Sequence, residues 1–179
     1  MDTPDETLVA AAVTGDRDAF AALVARHYDR ILGLAFRLTG SRAEAEDLTQ
    51  DICMALPARL SQFAGRSRFS TWLYRVTLNA ARDRHRRNAT RARASDGWGD
   101  WERDRQDAMA ADADSQAWLM RVMRDLPPDL RETVALILGE DLTQARAAEV
   151  LGLSEGTVAW RMSEVKKRLR AMARAEGLL

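Results

Sequence analysis

The sequence predicts an all-α protein built as two small helical domains joined by a linker, the C-terminal one a helix-turn-helix. Three observations predict it. Apolar residues recur at three- and four-residue steps through most of the chain, the period of helices with one buried side. No stretch alternates apolar and polar residues for long enough to build a sheet. Between about Asn88 and Ala111 the apolar period stops, and the fragment DGWGDW at 96–101 reads as a linker whose two tryptophans could dock on a neighbouring domain. With 179 residues there is room for one average domain or two small ones, and 46% hydrophobic residues let both bury a core. The expected divisions are 1–87, 88–114 and 115–179.

Each element follows from local chemistry. Asp16 and Asp18 open a helix carrying Phe20, Leu23, Val24, Tyr28, Ile31, Leu32, Ala35 and Leu38, which Gly40 stops. Ser41 followed by Glu44 is a capping-box signature, opening a helix with Leu48, Ile52, Ala55, Leu56 and Leu60 on one side. Residues 61–68 hold Gly65, two serines and two arginines, and read as a loop. Ser70 is placed to cap the next helix, which runs through Trp72, Leu73, Val76 and Leu78 into arginines 84, 86 and 87 near its C-terminus. After the linker, Ala117, Leu119, Met120, Met123 and Leu126 restore the helical period until Pro127-Pro128. A helix from about Asp129 then carries Leu130, Val134, Ile137 and Leu138.

The sharpest local signal is TQARAAEVLGLSEGTV at 143–158. Ala147, Ala148 and Leu151 face inward on a short helix, and Gly152 permits a tight positive-φ turn. Leu153 plugs the corner, Ser154 caps the second helix, and Val158 packs back on the first. That is the spacing of a helix-turn-helix, whose second helix enters the DNA major groove. Outward near its start lie Glu155, Thr157, Trp160 and Arg161, with Lys166, Lys167, Arg168 and Arg170 following as phosphate contacts.

Charge supports a nucleic-acid role despite a formal net charge of zero. Residues 66–94 hold nine arginines against Asp83 alone, residues 95–116 hold seven acids against two arginines, and residues 161–174 hold six bases against Glu164. Two basic blocks separated by an acidic one are hidden by the zero average, a segregation that either well-solvated charged helices or phosphate-binding surfaces would explain. In the first block the loop with Arg66, Ser67 and Arg68 joins a helix bearing Trp72. Cations that track phosphates and rings that stack on bases would there hold single-stranded DNA, although aromatic residues such as Trp72 and Tyr74 more often belong to a core than to a stacking platform. Glu44, Asp47, Gln50 and Asp51 share one side of their helix, a solvated or protein-docking face, with no histidine to make a metal site.

Other classes find no support. There is no phosphate loop, no His-Glu-x-x-His and no Gly-x-Ser-x-Gly, so no catalytic residue, cofactor or metal is expected. His27 and His85 read as packing or phosphate residues, and Cys53 as a small buried hydrophobe. One cysteine fits a reducing compartment, the acidic start at 1–6 is unlike a secretory signal, and no run of apolar residues is long enough to span a membrane. The expected setting is the cytoplasm.

GDRDAFAAL at 15–23, AEDLTQDI at 45–52 and FSTWLYRV at 69–76 resemble the first domain of extracytoplasmic-function (ECF) sigma factors. Leu126-Pro127-Pro128 and the helix-turn-helix resemble their second. The resemblance implies that Asp47, Gln50 and Asp51 dock on the clamp helices of core RNA polymerase. It implies that the loop 62–68, with Asn79, Asp83 and neighbouring Trp72 and Arg86 on the following helix, melts the −10 promoter element and captures a flipped base. The C-terminal helix would read the −35 element, and an anti-sigma factor would hold the protein inactive. Where the family often has a His-Arg pair this chain has Ser163-Glu164, and Ala159-Trp160 replaces a basic residue and a small one. A carboxylate beside phosphates opposes binding. That substitution leaves open a decoy, which sequesters an anti-sigma factor without initiating transcription. A regulator using only the C-terminal helix-turn-helix would need a receiver or ligand domain in front, which the all-α first half does not supply.

Overall fold

A computed structural model describes residues 3–94 and 121–177. The N-terminal domain consists of α1 (Asp5–Val13), α2 (Arg17–Thr39), α3 (Arg42–Leu60) and α4 (Phe69–Ala94). Residues 121–125 are helical, and α5 (Pro128–Ile137), α6 (Gln144–Leu151) and α7 (Glu155–Ala175) follow. No strand occurs among the described residues.

Local chemistry sets the boundaries. The Asp16 carboxylate accepts from the N–H groups of Asp18 and Ala19, both at 3.0 Å, and so caps α2. Gly40 ends that helix at φ 72°, a conformation that costs glycine least. The Ser41 hydroxyl accepts from Glu44 N–H at 3.4 Å, but only half of the expected capping box forms, because Ser41 N–H turns to the Thr39 hydroxyl. Ser70 does not cap α4. The helix starts at Phe69, with Trp72 N–H donating to the Arg68 carbonyl, so Ser70 lies in its first turn. Nor does α4 stop near residue 87. It continues to Ala94, which leaves arginines 84, 86 and 87 in mid-helix. The rest of the expected linker, with Trp98 and Trp101, lies outside the described residues, as do Ala117, Leu119 and Met120.

Two hydrophobic clusters organise the chain. In the first, Leu8 and Val9 of α1, Leu23, Ile31 and Ala35 of α2, Leu48, Ile52, Leu56 and Leu60 of α3, and Phe69, Leu73 and Val76 of α4 pack together. In the second, Met123, Leu126, Leu130, Val134, Leu136, Ala148, Val158 and Val165 form the C-terminal core. That core also takes Leu34 and Leu38 from α2 and Tyr74 and Leu78 from α4. Each pair is spaced i, i+4, so α2 and α4 present a second apolar stripe on which the C-terminal domain sits. Leu138, expected in the core, is 62% exposed, because α5 ends at Ile137 and the chain turns away.

Beneath α1, His27 is buried, with Nε2 2.8 Å from the Asp5 carboxylate and its ring 5.3 Å from Phe69. Burial outweighs Asp5 and holds the His27 pKa below its ordinary value of 6.5. The ring is therefore neutral in the fold, while the unfolded chain takes up a proton as the pH falls below about 6.5. Stability contributed by His27 is present above that pH and is lost as the pH drops through the folded-state value. We expect the urea midpoint to fall between pH 7.5 and 5.5, and to fall less steeply in His27→Gln. Equal slopes would show that His27 does not couple folding to protons.

Candidate nucleic-acid interface

The acidic stripe of α3 is built as its spacing implies. Asp47, Gln50 and Asp51 are exposed on one side, while Leu48, Ile52 and Leu56 fill the core on the other. Two further residues complete the surface. Met54 follows at i+3 from Asp51 and is 66% exposed, a flexible apolar side chain at the end of the polar stripe. Arg84 reaches over from α4 and pairs with Asp47 at 3.2 Å and Asp51 at 3.6 Å. Met54 could have been found from its phase, since it continues the stripe of Asp47 and is out of register with Leu48. Arg84 could not, because only the α3–α4 packing brings it there.

The loop at 61–68 leads directly into α4. Its anchor is aromatic: Phe63 meets Phe69 edge-on at 5.5 Å and Trp72 at 5.8 Å, and Phe69 lies 5.6 Å from Trp72. This cluster leaves Arg66 and Arg68 exposed and Ser67 half-buried. Trp72 is half-buried, with part of its ring in the cluster and part at the surface. At 100° per residue, Trp72, Asn79, Asp83 and Arg86 fall within a narrow stripe along α4, so loop and helix form one continuous polar track. Asn79, Asp83 and Arg86 are exposed on it, and Arg86 pairs with Asp83 one turn away. The Asn79 side-chain oxygen accepts from Arg82 at 3.4 Å.

The third surface is the helix-turn-helix. Gly152 takes φ 68°, Leu153 N–H donates to the Ala148 carbonyl at 3.0 Å, and the Ser154 hydroxyl accepts from Thr157 N–H at 3.1 Å. Val158 is fully buried against the first helix. Glu155 is exposed, Thr157 is half-buried with its hydroxyl on Ser154, and Trp160 is 63% exposed. Lys166 and Lys167 are exposed further along α7. Arg161 departs from expectation. Its side chain is only 17% exposed and lies on α5, 3.6 Å from the Asp129 carboxylate and 3.3 Å from the Asp129 carbonyl. Glu164 pairs with Arg168 at 3.2 Å, which offsets part of the basic tail.

No residue in these surfaces is arranged for covalent chemistry. Cys53 is half-buried on α3, where burial pushes its thiol pKa up and away from reactivity. Among the described residues no helix is long and apolar enough to cross a membrane, and no cluster of His, Cys, Asp or Glu could hold a metal ion.

A helical chain with a basic, aromatic-anchored track in one domain and a helix-turn-helix in the other belongs to a class that touches DNA at two places. Residues 23–91 match the Sigma-70 region 2 family, and residues 116–169 match the Sigma-70, region 4 family. Over 168 residues the sequence is 32% identical to the ECF RNA polymerase sigma factor SigM of Mycobacterium tuberculosis, covering 92% of this chain and 82% of SigM. The fold is similar to that of CnrH solved in complex with the cytosolic domain of CnrY, with TM-score 0.70, 30% identity and coverage of 96% and 97%. RpoE in complex with the anti-sigma factor NepR from Bartonella quintana shares the fold at TM-score 0.70 and 23% identity, covering 87% of this chain and 96% of RpoE. The chain belongs to the extracytoplasmic-function sigma factors of the sigma-70 family. It is therefore a sigma factor of a non-enzymatic, transcription-initiating kind.

Proposed function

We propose that this sigma factor binds core RNA polymerase through the Asp47–Gln50–Asp51–Met54 face. The loop and α4 track then open the −10 element, and α7 reads the −35 element. The observation that carries the reading is the continuity of Arg66, Ser67 and Arg68 with the stripe of Trp72, Asn79, Asp83 and Arg86, held by the Phe63–Phe69–Trp72 cluster. Exposed cations track phosphate there, and a partly exposed ring offers stacking to an unpaired base. On α7, Glu155, Thr157 and Trp160 are the side chains near the Ser154 cap that would face base edges, with Lys166 and Lys167 on phosphates. Its setting would be the cytoplasm, where polymerase and promoter DNA are found. An anti-sigma factor would restrain it, in keeping with the complex in which RpoE was solved.

The test is run-off transcription with sigma-free core polymerase over a library of genomic promoter fragments. Specific transcripts sharing two upstream elements support the reading. Replacing Arg66 and Arg68 together by alanine removes two charge-assisted contacts. It should lower promoter opening about ten- to a hundredfold while leaving core binding unchanged. Loss of core binding in that variant would overturn the division of labour between α3 and the loop. The pairing of Arg161 with Asp129 and of Arg168 with Glu164 favours a second reading, a decoy with a weakened −35 surface that captures an anti-sigma factor. Absence of both transcripts and core binding would favour the decoy instead.

A further inference from the structure

We infer that the C-terminal domain is a built-in inhibitor of the N-terminal one, with Glu132 and Glu140 standing where promoter phosphates would stand on the arginines of α2 and α4. The inference rests on the reading of α4 and its loop as the −10 surface. Both carboxylates belong to the C-terminal domain, and both are buried against the other. Glu140 is paired with Arg37 of α2 and accepts from the Tyr74 hydroxyl of α4 at 2.8 Å. Burial, and then the bond to Glu140, push the Tyr74 phenol above its usual range, so it stays a neutral donor. Glu132 takes a two-pronged contact from Arg82 of α4, at 2.7 Å and 2.6 Å. The same guanidinium donates to Asn79, so one carboxylate holds both an arginine and a −10 candidate. Arg146 of α6 donates to Thr71 at 3.3 Å, and Arg75 donates to the Glu149 carbonyl. Between the domains, a polar cleft of about 420 Å³ brings Arg30, Arg68 and Arg146 together with Glu140 and Asp141.

Close approach is built in from both sides. Gly40 of the N-terminal domain faces Arg124, and Gly139 of the C-terminal domain faces Arg37, so that a methyl group at either would collide with the opposing side chain. The apolar part of the seat is small, formed on this side by Leu34, Leu38, Tyr74 and Leu78 with Ala81 at its edge. A buried carboxylate loses its hydration and recovers that loss only while its guanidinium partner is in place. Carboxylate and phosphate compete for the same guanidinium geometry. The closed form is therefore poised to yield when polymerase and a DNA backbone supply an alternative.

Small-angle X-ray scattering and core-polymerase binding, both on the full chain, test this. Wild type should be compact, with the compact-domain scaling for this length giving a radius of gyration of about 16 Å before the linker's contribution. Glu132→Gln/Glu140→Gln should expand measurably with helical content unchanged, and Arg37→Gln/Arg82→Gln, which cuts the same contacts from the other side, should expand alike. The α3 face is exposed in the closed form, so the gain lies in engaging both domains: if only open molecules place both domains on core polymerase and about one in ten is open in the wild type, the glutamine pair binds about tenfold tighter. Variants as compact as wild type would overturn the latch. Expanded variants with unchanged polymerase affinity would show closure without inhibition and overturn the inhibitory role. Failure of every form, wild type included, to bind polymerase would instead overturn the sigma reading on which that role depends.

Discussion

Phe69→Ala is expected to lower the stability of the N-terminal domain by about 3–5 kcal/mol, the range for removing a buried phenyl ring. Phe69 is almost wholly buried, and three rings meet it: His27 at 5.3 Å, Phe63 at 5.5 Å and Trp72 at 5.6 Å. It is also the first residue of α4, so it joins the loop of Arg66 and Arg68 to the helix that bears Asn79 and Asp83. The loss is large against a typical domain stability of about 5–15 kcal/mol. Urea unfolding followed by circular dichroism measures it, and a cost below about 1 kcal/mol would show that the cluster repacks without the ring. Phe69→Leu retains apolar volume but loses the edge-on ring contacts, worth about 0.5–1.5 kcal/mol each, and should fall between. Promoter opening should be impaired even where Phe69→Leu remains folded, because the loop loses its fixed geometry before the domain loses its fold.

Local chemistry makes much of this molecule legible in its sequence. Asp16, Gly40, Gly152 and Ser154 each act on backbone within a few residues, so their roles as caps and turns follow from neighbours alone. The α3 stripe follows from spacing in the same way. α1 is not predicted, because the short apolar run from Leu8 to Val13 has no amphipathic period, and it is helical because Leu8 and Val9 dock on the first core. Arg161 points outward by position but is drawn to Asp129, a partner supplied only by the packing of α7 on α5. Tyr74 shows the limit most clearly. Its place at i+2 from Trp72 suits a core or a stacking role, and only the docked C-terminal domain reveals its hydroxyl on Glu140. Around the apolar seat, the contacts that join the domains include the ion pairs Arg37–Glu140 and Arg82–Glu132, whose members, read in sequence, are indistinguishable from a solvated surface.

Asp51→Arg should reduce affinity for core polymerase by about a hundredfold, the scale of a few kcal/mol for like charges forced together at an interface. The carboxylate is more than half exposed and 3.6 Å from Arg84, so its reversal leaves the fold nearly untouched: exposed pairs of this kind contribute about 0–1 kcal/mol. What changes is the surface. A stripe with two carboxylates, one amide and Met54 becomes one in which the introduced guanidinium and that of Arg84 repel each other and any basic partner. Met54→Ala separates charge from apolar contact. If Met54 is the buried anchor of the interface, its truncation slows nothing in the encounter but speeds dissociation, whereas Asp51→Arg slows association and does so most at low salt. Surface plasmon resonance with immobilised core polymerase at two ionic strengths resolves the two effects. Unchanged affinity in Asp51→Arg would remove α3 from the docking surface.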